Sequence, residues 1–185
     1  MSESPRRFRD RKTVLRFGAI DSPLGRLHVA VSPQGVFRVS FRSRTEAGFL
    51  RNLRQIRPAP VETGGRQVSI VLEQLHRYFE GRNPDFDFRV DLSGLTEFQI
   101  RVLKFTRLIP PGRLETYRSI AARIRQPRAY RAVGNALGKN PVPIVIPCHR
   151  VVASGGLLGG FTGGVHHKKT LLRHEGHDLR NGLTS

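Results

Sequence analysis

The sequence predicts an α+β chain: a small β-rich front part followed by a helical second part that contains a helix-turn-helix. Three observations carry this prediction. Apolar residues alternate over Arg26–Val31 and Val36–Phe41, the period of half-buried strands. From Val68, and again from Thr96, they recur at helical spacing. Between these lies Asn83–Ser93, a connection containing Pro and Asp, where the domain boundary is expected. The expected divisions are a flexible basic tail (1–12), an N-terminal domain (13–92), a C-terminal domain (93–177) and a short tail (178–185).

In order along the chain, Ser32-Pro33-Gln34-Gly35 supplies the turn of a hairpin between the two alternating segments. Thr45–Arg54 reads as a short helix, and Pro58-Ala59-Pro60 with Gly64-Gly65 as loop. The helix from Val68 buries Val68, Val71, Leu72, Leu75 and Phe79 and ends at Gly81. In the second half, Thr96 and Gln99 form a capping box, with Phe98, Val102, Phe105 and Ile109 as the buried stripe. Pro110-Pro111-Gly112 stops that helix. Helices over about Thr116–Ile124 and Arg128–Leu137 flank a break at Gln126-Pro127, the helix-turn-helix candidate. A final helix covers Val165–His174, with Leu171 and Leu172 buried.

The charge balance is 32 basic to 14 acidic residues, a net +18. Between Arg101 and Arg131 stand nine basic residues and one acid, Glu115. This is the footprint of a polyanion binder, although solubility or a generally basic proteome accounts for composition alone equally well. In the helix from Arg128, Tyr130, Val133 and Leu137 share one side. The rest of the circumference carries Arg128, Arg131 and Asn135 with Ala129, Ala132 and Ala136. Such a thin, positive helix can lie close to a nucleic-acid backbone. Alanine is also simply a good helix former, and the two readings stand level at this point. With no apolar run approaching ~20 residues, no membrane span is expected. The charged start does not read as a secretory signal, and a reducing cytoplasm is the expected compartment.

The chain has one cysteine, Cys148, so neither an internal disulfide nor a multi-thiolate metal site is expected. Cys148 interrupts an apolar run and is followed by His149 and Arg150, groups that lower a thiol's pKa. Adjacent side chains point apart, so His149 is expected to act through a water or a bent backbone and not by direct contact. Taken alone, a Cys-His dipeptide is more often a buried structural thiol. Six glycines among residues 155–164 form a loop able to bring backbone groups close to a ligand. Glu175 sits in the last turn of a helix, the wrong end of the dipole for an acid.

Together, Asn140-Pro141-Val142-Pro143, Ile146-Pro147-Cys148-His149-Arg150-Val151-Val152, the glycine loop and Leu171-Leu172-Arg173-His174-Glu175-Gly176 resemble the O6-alkylguanine-DNA alkyltransferases, the methylated-DNA–protein-cysteine methyltransferases. Phe98-Gln99, Ile109-Pro110, Tyr117, Arg131-Ala132-Val133-Gly134, Asp21–Gly25 and Tyr78–Gly81 extend the likeness over about residues 14–177. The resemblance implies a ribonuclease-H-like N-terminal domain. It also implies DNA repair by direct reversal: the alkyl group of O6-alkylguanine, or of O4-alkylthymine, passes to Cys148 after base flipping. The protein would be consumed in one turnover, acting as a cytoplasmic, nucleoid-associated monomer with no cofactor. Its partner would be double-stranded DNA containing alkylated guanine.

The same resemblance implies the residue roles. Glu175 orients His149, which takes the thiol proton through water. Tyr117 protonates the leaving guanine and crowds the phosphate. Arg131 fills the vacated stack from a helix in the minor groove, with Arg128, Ala129, Ala132 and Lys139 on the DNA. Asn140 braces the turn holding Cys148. Val151, Phe161, Thr162 and Lys168 form the substrate pocket, where the Cys148 and Val151 carbonyls read the exocyclic amine and the Thr162 amide receives O6. The chain departs from the family at Leu103 (usually Trp), at Phe161 (often Tyr) and at Gly138-Lys139 (Arg-Gly in some members). It also lacks the cysteines of the zinc site that some members carry. Two other functions compete: a non-catalytic alkyltransferase-like damage-binding protein, against which the cysteine argues, and a helix-turn-helix regulator.

Overall fold

A computed structural model describes residues 13–179 apart from 44, 83–85 and 156. The expected basic tail (1–12) and residues 180–185 of the expected C-terminal tail lie outside the described residues. The chain divides between Leu95 and Thr96 into two compact units.

The first unit is built on strands β1 (Leu15–Ser22), β2 (Gly25–Ser32), β3 (Gly35–Ser40) and β4 (Val61–Thr63), in the order β3-β2-β1-β4. The expected hairpin is β2–β3, antiparallel, with a register shift at Ala30/Val31. Strands β1 and β4 were not legible as strands. β1 pairs antiparallel with β2, Phe17 facing Ala30 across the register, and β4 adds in parallel to β1. Helices α1 (Glu46–Ile56) and α2 (Arg66–Phe79) cover opposite faces of β1. Leu15 and Phe17, two residues apart, join Ala30, Phe37, Phe49 and Leu53 in one core cluster. Gly18 points the other way, where a Cβ would meet Val68 Cγ1 of α2 at 2.7 Å. The missing side chain is what lets α2 approach the sheet. A buried ion pair, Arg57 Nη1 to Asp91 Oδ2 at 2.9 Å, fixes the end of this unit. Ser32 Oγ donates to the same carboxylate oxygen at 2.5 Å.

The second unit contains α3 (Glu97–Arg107), β5 (Glu115–Thr116), α4 (Tyr117–Arg123), α5 (Tyr130–Gly138), β6 (Val151–Val152) and α6 (Val165–His174). The Thr96/Gln99 capping box is present, and Thr116 with Ser119 forms a second. The α3 stripe differs from expectation: Val102, Leu103, Thr106 and Ile109 are buried, while Phe98 and Phe105 are half-buried. Thr106 can be buried because its hydroxyl donates to the Val102 carbonyl at 2.8 Å.

α4 ends in a Schellman turn: Gln126 N donates to Ala121 O and Arg125 N to Ala122 O, both at 2.9 Å. Arg125 takes the left-handed position at φ +59°. A 3-10 turn, Pro127–Ala129, then leads into α5, so the regular helix starts two residues later than Arg128. On α5, Val133, Ala136 and Leu137 are buried. Ala136, expected on the outer face, therefore belongs to the core side, and Tyr130, expected in the core, is only half-buried. No helix among the described residues is long and apolar enough to cross a membrane.

Candidate active site

After α5 the chain makes a turn whose brace is Asn140. Its Oδ1 accepts from Val142 N at 3.0 Å. Its Nδ2 donates to Ile146 O at 2.9 Å and to Cys148 Sγ at 3.1 Å. Inside this turn Ile144 sits at φ +75°, a rare conformation for a β-branched residue. Such strain persists where the surroundings over-determine the backbone, and here the carboxamide of Asn140 ties both sides of the turn.

Cys148–Arg150 then form a single 3-10 turn that runs into β6. β6 pairs in parallel with β5, Glu115 opposite Val151 and Thr116 opposite Val152. Tyr117 follows β5 directly, so this two-residue pairing carries Tyr117 to the thiol. Neither strand was legible in the sequence.

The tight turn sends successive side chains apart. Cys148 lines a pocket, whereas His149 and Arg150 converge on Glu175, the C-cap of α6. His149 Nε2 lies 2.8 Å from Glu175 Oε1. Arg150 donates through Nη2 to Oε1 at 2.7 Å and through Nε to Oε2 at 2.8 Å. Arg150 Nη1 also donates to the Ile109 carbonyl. Burial works against the Glu175 charge, but hydrogen bonds from His149 and Arg150, with the Arg150 charge, hold its carboxyl far below the usual carboxylate range. A carboxylate only accepts, so the proton on the imidazole is on Nε2. That leaves Nδ1, buried and without a hydrogen-bond partner, as the basic nitrogen. Burial, together with the Arg150 and Lys168 charges, lowers the His149 pKa against the pull of Glu175, keeping the ring neutral.

The thiol itself corrects an expectation. Burial pushes Cys148 up to about 11, with the Asn140 hydrogen bond and the Lys168 charge pulling the other way. The flanking His149 and Arg150 do not lower it through their side chains, because Glu175 engages both. At rest Cys148 is a protonated thiol. In the sequence Arg150 is only a cation beside the thiol; its grip on Glu175 emerges in three dimensions.

The pocket, about 460 Å³, is lined by Tyr117, Tyr130, Arg131, Leu137, Cys148 and Phe161, with Gly134, Gly138, Gly160 and Thr162 completing the wall. This is the size range of small-ligand sites. The Tyr117 hydroxyl donates to Gly160 O at 3.3 Å, and Thr162 Oγ1 donates to Gly138 O at 2.8 Å, so the glycine loop is held from both sides. A Cβ on Gly159, at φ +68°, would stand 2.8 Å from the Tyr117 hydroxyl.

Val151 and Lys168 do not line the pocket. Lys168, fully buried, donates from Nζ to Val151 O at 2.6 Å, Leu158 O at 2.5 Å and Gly160 O at 3.4 Å. It ties the backbone behind the pocket, and burial lowers its pKa to about 8, with the ionised form of Cys148 pulling the other way. Arg128, Arg131, Ala132 and Lys139 are exposed and Ala129 is half-buried; of these, Arg131 alone reaches the pocket wall.

A cysteine opening into a pocket beside a positively charged helix-turn-helix is the layout of a cysteine-dependent protein that modifies nucleic acid. Comparison with known proteins gives the same class. Residues 15–92 match the ribonuclease-like domain of 6-O-methylguanine DNA methyltransferase, and residues 97–177 match its DNA-binding domain. A methylated-DNA–protein-cysteine methyltransferase of Methanosarcina barkeri is 37% identical over 89% of this chain and 99% of its own length. The Salmonella typhimurium protein of the same name is 37% identical over 86% of this chain and 95% of its own. The crystal structure of Mycobacterium tuberculosis O6-methylguanine methyltransferase superposes with a TM-score of 0.72 at 35% identity, covering 88% of this chain and 92% of that one. The M. tuberculosis OGT structure in complex with DNA gives 0.71 at 36% identity, with the same coverage. The chain belongs to the 6-O-methylguanine-DNA methyltransferase family.

Proposed function

We propose that this protein repairs DNA by direct reversal, moving the alkyl group of O6-alkylguanine onto Cys148. The supporting observation is the placement of the only thiol on the pocket wall, between the Asn140 brace and the buried His149–Glu175 pair. The target base leaves the stack and enters the pocket, while Arg131 on α5 fills the gap. His149 Nδ1 takes the thiol proton through a bridging water, which Glu175 favours by stabilising the imidazolium. The sulfur attacks the alkyl carbon, the S–C bond forms and the C–O6 bond breaks. The electron pair goes to the guanine, the Tyr117 hydroxyl supplies a proton to its ring, and the proton taken up by His149 returns through solvent to restore Tyr117. The thioether has no route back to a thiol, so each molecule reacts once.

The non-catalytic damage-binding and regulator readings are not favoured, because the thiol and its relay are intact. The same reading has the protein act as a monomer in the cytoplasm, at the nucleoid, on double-stranded DNA. Mass measurement after incubation with a duplex containing O6-methylguanine tests it. One methyl gained on Cys148, and none in Cys148→Ala, is expected. Duplex binding with no mass change would overturn the reading.

A further inference from the structure

Beside the pocket lies an aromatic–cation pair that the mechanism above does not use. Tyr130, the first residue of α5, lines the pocket next to Arg131. The guanidinium carbon of Arg118, on α4, sits over the Tyr130 ring at 4.5 Å from its centroid. Arg118 is exposed and has no carboxylate within ion-pair distance among the described residues. Glu115, the acid nearest to it in sequence, is bound to Arg123 at 2.7 Å.

A guanidinium seated on an aromatic ring keeps its in-plane N–H donors available while losing little further rotamer freedom when they are used. A planar donor fork of this kind matches the oxygens of a phosphate. Tyr130 thus orients the fork, on a ring that itself forms part of the pocket wall. We infer that Arg118, held over Tyr130, binds a backbone phosphate of the nucleotide that enters the Cys148 pocket. Arg118 is then a positioning residue for base entry, and Tyr130 is its platform. This rests on the alkyl-transfer reading.

The test uses full-length protein and methyl or benzyl transfer to Cys148, on an O6-methylguanine duplex and on free O6-benzylguanine. Arg118→Ala is expected to lower the duplex-to-free-base rate ratio about tenfold, the effect of one lost charged hydrogen bond. It should also reduce the slope of log affinity against log salt by about 1. Arg118→Lys should restore the salt slope but not the rate ratio, since an ammonium does not stack as a fork. Tyr130→Phe, which keeps the ring, should keep the wild-type duplex-to-free-base ratio. The Tyr130→Ala/Arg118→Ala double variant should show a duplex-to-free-base ratio no lower than that of Arg118→Ala alone.

Equal losses of Arg118→Ala on both substrates would overturn the inference, as would an unchanged salt slope or additive losses in the double variant. If wild type takes no methyl from the duplex, the alkyl-transfer reading itself fails. If wild type reacts and Arg118→Ala keeps its rate ratio, only the phosphate role fails.

Discussion

His149 and Glu175 meet through a 2.8 Å contact between two wholly buried side chains, 26 residues apart in sequence. The carboxylate dictates the imidazole tautomer and leaves Nδ1 as the base. Arg150 secures the same carboxylate from a second direction, so the orientation of the base depends on three residues.

Glu175→Gln is expected to destabilise the protein at neutral pH by about 3 kcal/mol, because Arg150 keeps a buried charge with no counter-charge. The folded pKa of Glu175 is depressed, so its contribution is present above the unfolded carboxylate range and is lost as pH falls through and below it. Urea unfolding at pH 7 and pH 3 should therefore show the gap between wild type and variant narrowing at the lower pH. A gap that stays constant would detach Glu175 from the acid sensitivity.

The raised Cys148 pKa predicts slow reaction of the resting thiol with a small electrophile such as iodoacetamide at pH 7. The rate should climb with pH towards about 11. Asn140→Ala removes the donor to sulfur and should move that profile to still higher pH. A thiol titrating near 7 in rate measurements would contradict the burial account.

Lys168 acts on the backbone behind the pocket, so its removal should not discriminate between substrates. Lys168→Met leaves the Val151 and Leu158 carbonyls without their ammonium partner, and should lower the rates on duplex and on free O6-benzylguanine by a similar factor, about tenfold or more. A loss confined to duplex would instead make Lys168 a DNA contact.

Arg131→Ala should behave in the opposite way. The side chain is exposed at the pocket wall and reaches neither the thiol nor the relay. Repair of duplex should fall at least tenfold more than reaction with the free base, since only the duplex leaves a gap to fill. Single-turnover rates on the two substrates measure this directly.

Much of the molecule was legible because its signals are local. The hairpin, α1, α2 and the Thr96/Gln99 cap follow from alternation, helical spacing and capping chemistry between near neighbours. The edges of these patterns misled where tertiary packing chose among equivalent faces. Ala136 suits either side of α5, and Thr106 becomes a core residue only by bonding back to its own helix. Strands β5 and β6, two residues each, are too short for any periodicity, yet their pairing brings Tyr117 to Cys148.

The α+β class, the single thiol, the basic helix-turn-helix and the motif residues from Asn140 to Glu175 can be read along the chain, since each is a matter of residue type and short spacing. The state of the thiol cannot. Charges adjacent in sequence suggested a lowered pKa, but Glu175 engages both His149 and Arg150, and burial raises the sulfur to about 11. Desolvation and hydrogen-bond partnership depend on what surrounds an atom in space, and for Cys148 those surroundings come from α5, β6 and α6 together.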